Sequence, residues 1–106
     1  MSVPSGIDVS AIDDVIHGRL RMGVMAYLSS INPASFTELA KRLDTSNGNL
    51  STHLSKLENA GYIRLEKGYQ GKKPHTAIYL TEAGRGAWIA YLDEIEKLLS
   101  LRDMSD

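Results

Sequence analysis

The chain has 106 residues, 42% of them hydrophobic, and a formal net charge of −1, which suits one domain with a modest core. It contains no cysteine, so disulfides, thiolate metal sites and cysteine nucleophiles are excluded, and no apolar run approaches the roughly 20 residues of a membrane helix. Met1-Ser-Val-Pro-Ser-Gly6 lacks the basic patch and apolar run of a signal peptide, and a soluble intracellular protein is expected.

Residues 1–9, with Pro4 and Gly6, read as a flexible arm, 10–102 as the folded domain and 103–106 as a tail. From Ser10, Ile12, Val15, Ile16, Leu20, Val24, Tyr27, Leu28 and Ile31 recur at helical spacing. Gly18 and Gly23 weaken that helix, so a break near residue 17 is expected, and Asn32-Pro33 ends it. Ser35-Phe-Thr-Glu38 has the form of a capping box, opening a short helix with Phe36, Leu39, Ala40 and Leu43 inside. Asp44-Thr-Ser46 is a turn that supplies a second N-cap. A third helix then runs from about Asn47 to Ala60 on Leu50, Leu54 and Leu57, stopped by Gly61.

After Gly61 the period changes to two. Residues 62–67 and 76–81 alternate around a Gly- and Pro-containing loop, 68–75, which predicts a β-hairpin. A last helix starts at Thr81 and reaches about Arg102. Helix, helix–turn–helix, hairpin and helix make an α+β, mainly helical, winged helix–turn–helix order.

Such a unit works by freeing one polar face of its second helix for the major groove. Opposite the leucines of the third helix stand Gly48, Thr52, Ser55 and Asn59, flanked by Asn49 and Ser51, with Lys56 alongside. Asn pairs bidentately with adenine, Ser and Thr contact several bases, and Ser46, Asn47 and Gly48 bring the helix N-terminus to a phosphate. A plain solvated face explains the same pattern equally well, and the hairpin shifts the balance. It carries Lys67, Lys72, Lys73 and His75, a basic finger suited to backbone contact. Between Lys41 and Arg85 eight Lys/Arg face four acids, a local excess of +4 in a chain of net −1. Arg64 has a pairing partner in Glu66. His53 is expected at the core edge, bonding a backbone carbonyl, and Asp13 with His17 as an ion-paired or solvated pair rather than two metal ligands.

Thr45 to Ile63 resembles the recognition-helix stretch of MarR/ArsR-type regulators. Gly71-Lys-Lys-Pro-His-Thr76 and Leu80-Thr-Glu-Ala-Gly-Arg85 resemble the wing and post-wing signature of small stand-alone winged-helix transcription factors related to them. The match spans about residues 16–100. It implies a prokaryotic, cytoplasmic, nucleoid-associated regulator, most simply a repressor. The regulator would bind a pseudo-palindromic operator of double-stranded DNA as a homodimer, its third helix on bases and its wing on the backbone. Arg85 matches the signature's arginine, with a structural role at the wing base preferred. Extra terminal helices framing a ligand pocket, usual in MarR proteins, have room here only in reduced form, and the metal-sensing clusters of ArsR proteins are missing.

Ile12, Ile16, Leu20, Trp88, Tyr91, Leu92, Ile95, Leu98 and Leu99 are the expected dimer interface, being more apolar surface than so small a core consumes. No phosphate-cradling Gly motif, nucleophile elbow or carboxylate pair in a recognisable cleft is present, so neither enzymatic activity nor a cofactor is expected. Two alternatives stay open: a winged helix that grips a partner protein, and a version responding to a small molecule between the first and last helices.

Overall fold

Asp13 decides where the first helix begins. In the computed structural model, which describes residues 9–103, its Oδ1 accepts the N–H groups of Val15 (2.8 Å) and Ile16 (3.2 Å). A side chain that satisfies nearby backbone donors competes with helix formation. Residues 9–11 therefore form only a short 3-10 turn, 12–18 are irregular, and α1 spans Arg19–Ser30. The expected break near residue 17 is thus a late start, and Ile12, Val15 and Ile16 reach the core from a non-helical segment. The other carboxylate oxygen accepts from the Tyr62 hydroxyl at 2.5 Å, and this bond, with burial, pushes the phenol up to about 12. Of the expected arm (1–9) and tail (103–106), residues 1–8 and 104–106 lie outside the described residues, while Val9 opens the 3-10 turn and residue 103 ends the last helix.

β1 (Ala34–Ser35) is two residues long and has no sequence periodicity to announce it. It leads into α2 (Phe36–Arg42) through the capping box: Glu38 N–H donates to Ser35 Oγ (3.0 Å), and Ser35 N–H to Glu38 Oε1 (3.3 Å). The remaining oxygen of Glu38 accepts from the Tyr27 hydroxyl of α1. These bonds hold the Glu38 carboxyl below its ordinary range, the tyrosine bond foremost. α3 is Asn47–Asn59.

β2 (Ile63–Gln70) and β3 (Lys73–Leu80) pair along their whole length, from Ile63 with Leu80 to Gln70 with Lys73. The expected eight-residue loop is in fact two residues, Gly71 and Lys72. Gly71 has φ +65°, the conformation a tight hairpin needs at its first turn position. Pro74 is tolerated because β1 covers β3 only at Ala77 and Ile78, leaving an edge beside Pro74. The sheet is three-stranded, in the order β1-β3-β2.

α4 (Glu82–Asp103) starts against Gly61 and Tyr62, just ahead of β2. Thr81 Oγ1 accepts from Gly84 N–H (2.9 Å) and donates to the Gly61 carbonyl (2.7 Å). A Cβ on Gly84 would stand 2.0 Å from the Tyr62 carbonyl oxygen, so only glycine lets the helix in so close. Leu28 of α1, Leu39 of α2, Leu50, Leu54 and Leu57 of α3 and Ile78 of the sheet then close one core.

Candidate nucleic-acid interface

The turn between α2 and α3 bends at Asp44, whose φ of +50° is one that aspartate tolerates better than most residues. Ser46 caps α3 by accepting Asn49 N–H at 3.2 Å. Leu50, Leu54 and Leu57 are at most 1% exposed, which fixes the roll of the helix and turns Asn47, Gly48, Asn49, Ser51, Thr52, Ser55 and Lys56 outward. Nothing in the fold calls for glycine at Gly48: a Cβ there meets no atom within 4 Å. Its cost to a helix, up to about 1 kcal/mol, leaves room for something outside the chain.

Beside α3 runs an open cleft of ≈ 650 Å³, with Ser51, Leu54, Ser55 and Glu58 on the helix wall and Leu65, Lys67 and Thr76 on the wing wall. Paired residues of an antiparallel hairpin share a face. Lys67 with Thr76, and Tyr69 with Pro74, therefore look toward α3. Lys73, opposite Gln70, and His75, opposite Gly68, lie on the other face, and Lys72 sits in the turn itself. The expected basic finger is divided: Lys67 joins the cleft and Lys73 and His75 do not. The division was hidden in the sequence because a loop has no alternating faces, whereas a strand does.

Hydrogen bonding narrows the roles further. Thr52 Oγ1 donates to the Gly48 carbonyl (3.1 Å) and Ser55 Oγ to the Ser51 carbonyl (3.0 Å), so both hydroxyls offer acceptor lone pairs outward. Lys56 turns away from the cleft into a depression shared with Asp14 and Arg21. Arg64 pairs with Glu66 and lies 4.2 Å from the Tyr79 ring centroid on the outer wing face. His53 bonds no carbonyl, contrary to expectation. Its Nδ1 lies 2.8 Å from Arg21 Nη1, and desolvation, then the charges of Arg21 and Lys56, lower its pKa. Tyr69, 78% exposed on the cleft-side face of the wing, was missed, although an aromatic two residues after Lys67 on an alternating strand is signal enough to find it.

The expected dimer surface is also divided. Ile16 and Tyr91, at 0% and 3% exposed, are buried in the chain's own core and have no surface to offer a partner. Ile16 is drawn in under the Asp13 turn. The Tyr91 hydroxyl is held inward, 2.9 Å from His17 Nδ1 and 2.7 Å from Met22 Sδ. The side chains of Asp13 and His17 thus engage separate tyrosines and not each other, while His17 N–H donates to the Asp13 carbonyl at 2.9 Å. Ile12, Leu20, Trp88, Ile95 and Leu98 are half-buried, whereas Leu92 and Leu99 are exposed, as is Ile89. An apolar hollow of ≈ 550 Å³ lies between α1 and α4, walled by Met22, Ala26, Trp88, Tyr91, Leu92 and Ile95. Among the described residues no three His, Cys, Asp or Glu are grouped to hold a metal, and no helix is long and apolar enough to cross a membrane.

Residues 20–99 match a family described as a winged helix DNA-binding domain, a DNA-binding family rather than one of enzymes. An uncharacterized protein of Methanocaldococcus jannaschii is 31% identical over 84 residues, covering 79% of this chain and 91% of that protein. The solved transcriptional regulator homologue of Pyrococcus horikoshii OT3 superposes with TM-score 0.78 at 26% identity, covering 84% of this chain and 88% of that one. Staphylococcus aureus MepR, solved as a DNA complex, shares the fold with TM-score 0.64 at 18% identity, over 88% of this chain and 72% of that one. MarR-family and ArsR-family transcriptional regulators are further structural neighbours.

Proposed function

The chain belongs to the winged-helix DNA-binding domain family, and from that premise we propose that it is a sequence-specific transcriptional regulator, a repressor that occupies promoter DNA as a homodimer. One observation carries the proposal. The face of α3 turned away from the buried leucines is short, polar and open, and it borders a cleft whose opposite wall bears Lys67. In this reading Asn49 and Ser51 read base edges, with Thr52 and Ser55 as acceptors. Asn47 and the backbone at Gly48 approach a phosphate. Lys67, Lys72 and Lys73 neutralise phosphates, the last from the outer face of the wing, with Tyr69 beside them. The DNA bound to MepR supports the reading by likeness of fold.

The homodimer is supported by α4. Trp88, Leu92, Ile95 and Leu99 recur at the spacing of a helix-pairing seam, and Leu92 and Leu99 are exposed in the single chain. The two recognition helices would then lie about 34 Å apart, one turn of B-DNA. The hollow between α1 and α4 favours a second reading, in which a small apolar effector alters that pairing.

Selection from a random duplex pool, followed by fluorescence anisotropy on the enriched site, tests the proposal. The expected outcome is a two-fold repeated motif, bound at least about a thousandfold more tightly than random duplex. A protein that enriches no motif and ignores random duplex even at low salt is a protein-interaction module instead.

A further inference from the structure

Arg21, on the first turn of α1, is engaged on three sides. Its Nε donates to the Val15 carbonyl, its Nη2 to the His17 carbonyl at 3.2 Å, and its Nη1 lies 2.8 Å from His53 Nδ1. Val15 and His17 belong to the irregular segment pinned by Asp13, whereas His53 belongs to α3, between the buried leucines and the exposed Thr52. The His17 ring is in turn bonded to Tyr91 on α4. The guanidinium is thus the polar link between α3 and the scaffold on which α1 and α4 meet.

Its chemistry sets a condition on that link. A guanidinium has five donors and no acceptor, so His53 Nδ1 must accept, and the imidazole must be neutral with its proton on Nε2. A protonated ring would set N–H against N–H and cation against cation. The charged groups around the ring act in the same sense: Arg21 from α1 and Lys56 from α3 both oppose a proton there. Asp14 is the single acid lining the depression that holds Arg21 and Lys56.

Building on the assignment of α3 to the major groove, we infer that Arg21 is a positioning residue for DNA recognition: on the roll that the buried leucines set, its guanidinium holds the fine alignment of α3 through neutral His53, and protonation of His53 releases that alignment. Base contacts depend on that alignment, while phosphate contacts from the wing do not. Acidification therefore erodes specific binding and leaves binding to random duplex largely intact.

The test measures affinity of the full chain for its selected site and for random duplex, from about pH 8 to about pH 5 at fixed salt. In the wild type, specific affinity is expected to fall about tenfold or more on acidification, a change equivalent to one pKa unit. His53→Asn places an amide oxygen where Nδ1 stood and binds no proton; it keeps the neutral-pH affinity and loses the acid fall. Arg21→Lys keeps the charge but not the fork, and binds the selected site weakly at every pH. The inference is overturned if the wild type binds its site without pH dependence, if His53→Asn shows the wild-type acid fall, or if Arg21→Lys changes neither affinity nor profile. A wild type that binds no duplex at any pH removes the groove assignment itself, a result separate from those three.

Discussion

α3 and α4 are both amphipathic, and they dispose of their surplus in opposite ways. α3 buries all three of its leucines and leaves a polar row in water, whereas α4 buries Tyr91 alone among its large hydrophobic side chains and leaves Ile89, Leu92 and Leu99 exposed. The first suits a polar, charged partner and the second an apolar one. A domain this size has too little core to absorb a 22-residue helix, and under the proposed function the two surfaces serve two partners.

The sharpest way to break the contrast is to attack the buried side of α3. Leu54→Ala should cost about 2–5 kcal/mol in denaturant unfolding, because its side chain is 1% exposed and packs into the one core. Leu92→Glu with Leu99→Glu should leave folding nearly unchanged while raising the dimer dissociation constant at least about thirtyfold in sedimentation, the weight of a single ~2 kcal/mol anchor. A wild type that sediments as a monomer would erase the second partner. On the polar side, Asn49→Ala should lose about 1–3 kcal/mol of discrimination at one base pair and little elsewhere, read by binding to all single-base variants of the site. The smallest effect is electrostatic. Lys72→Ala with Lys73→Ala should flatten the salt dependence by about 0.9 for each phosphate no longer neutralised, equally for specific and random duplex.

How much of this was legible beforehand follows the range of the interactions. Local chemistry was readable. The Ser35–Glu38 box, the Ser46 cap and the leucines of α3 all act within four residues, and each stands where the pattern put it. Contacts distant in sequence were not. α1 starts at Arg19 because Asp13 is occupied with Val15, Ile16 and a tyrosine 49 residues away. His53 meets an arginine 32 residues away. Tyr91 looked like surplus until His17 and Met22, some seventy residues earlier, claimed its hydroxyl. The wing falls between these cases: its existence was visible in the alternation, but its two faces depend on a register set by the turn at Gly71.

The groove assignment of α3 is tested most directly by amide NMR on the full chain titrated with its selected duplex. The predicted result is shift changes along the exposed residues of 47–59 and along the wing from Lys67 to Thr76, with α4 beyond Leu92 unmoved. Changes confined to α4, with the signals of Asn49, Ser51 and Thr52 unaltered at saturation, would contradict it.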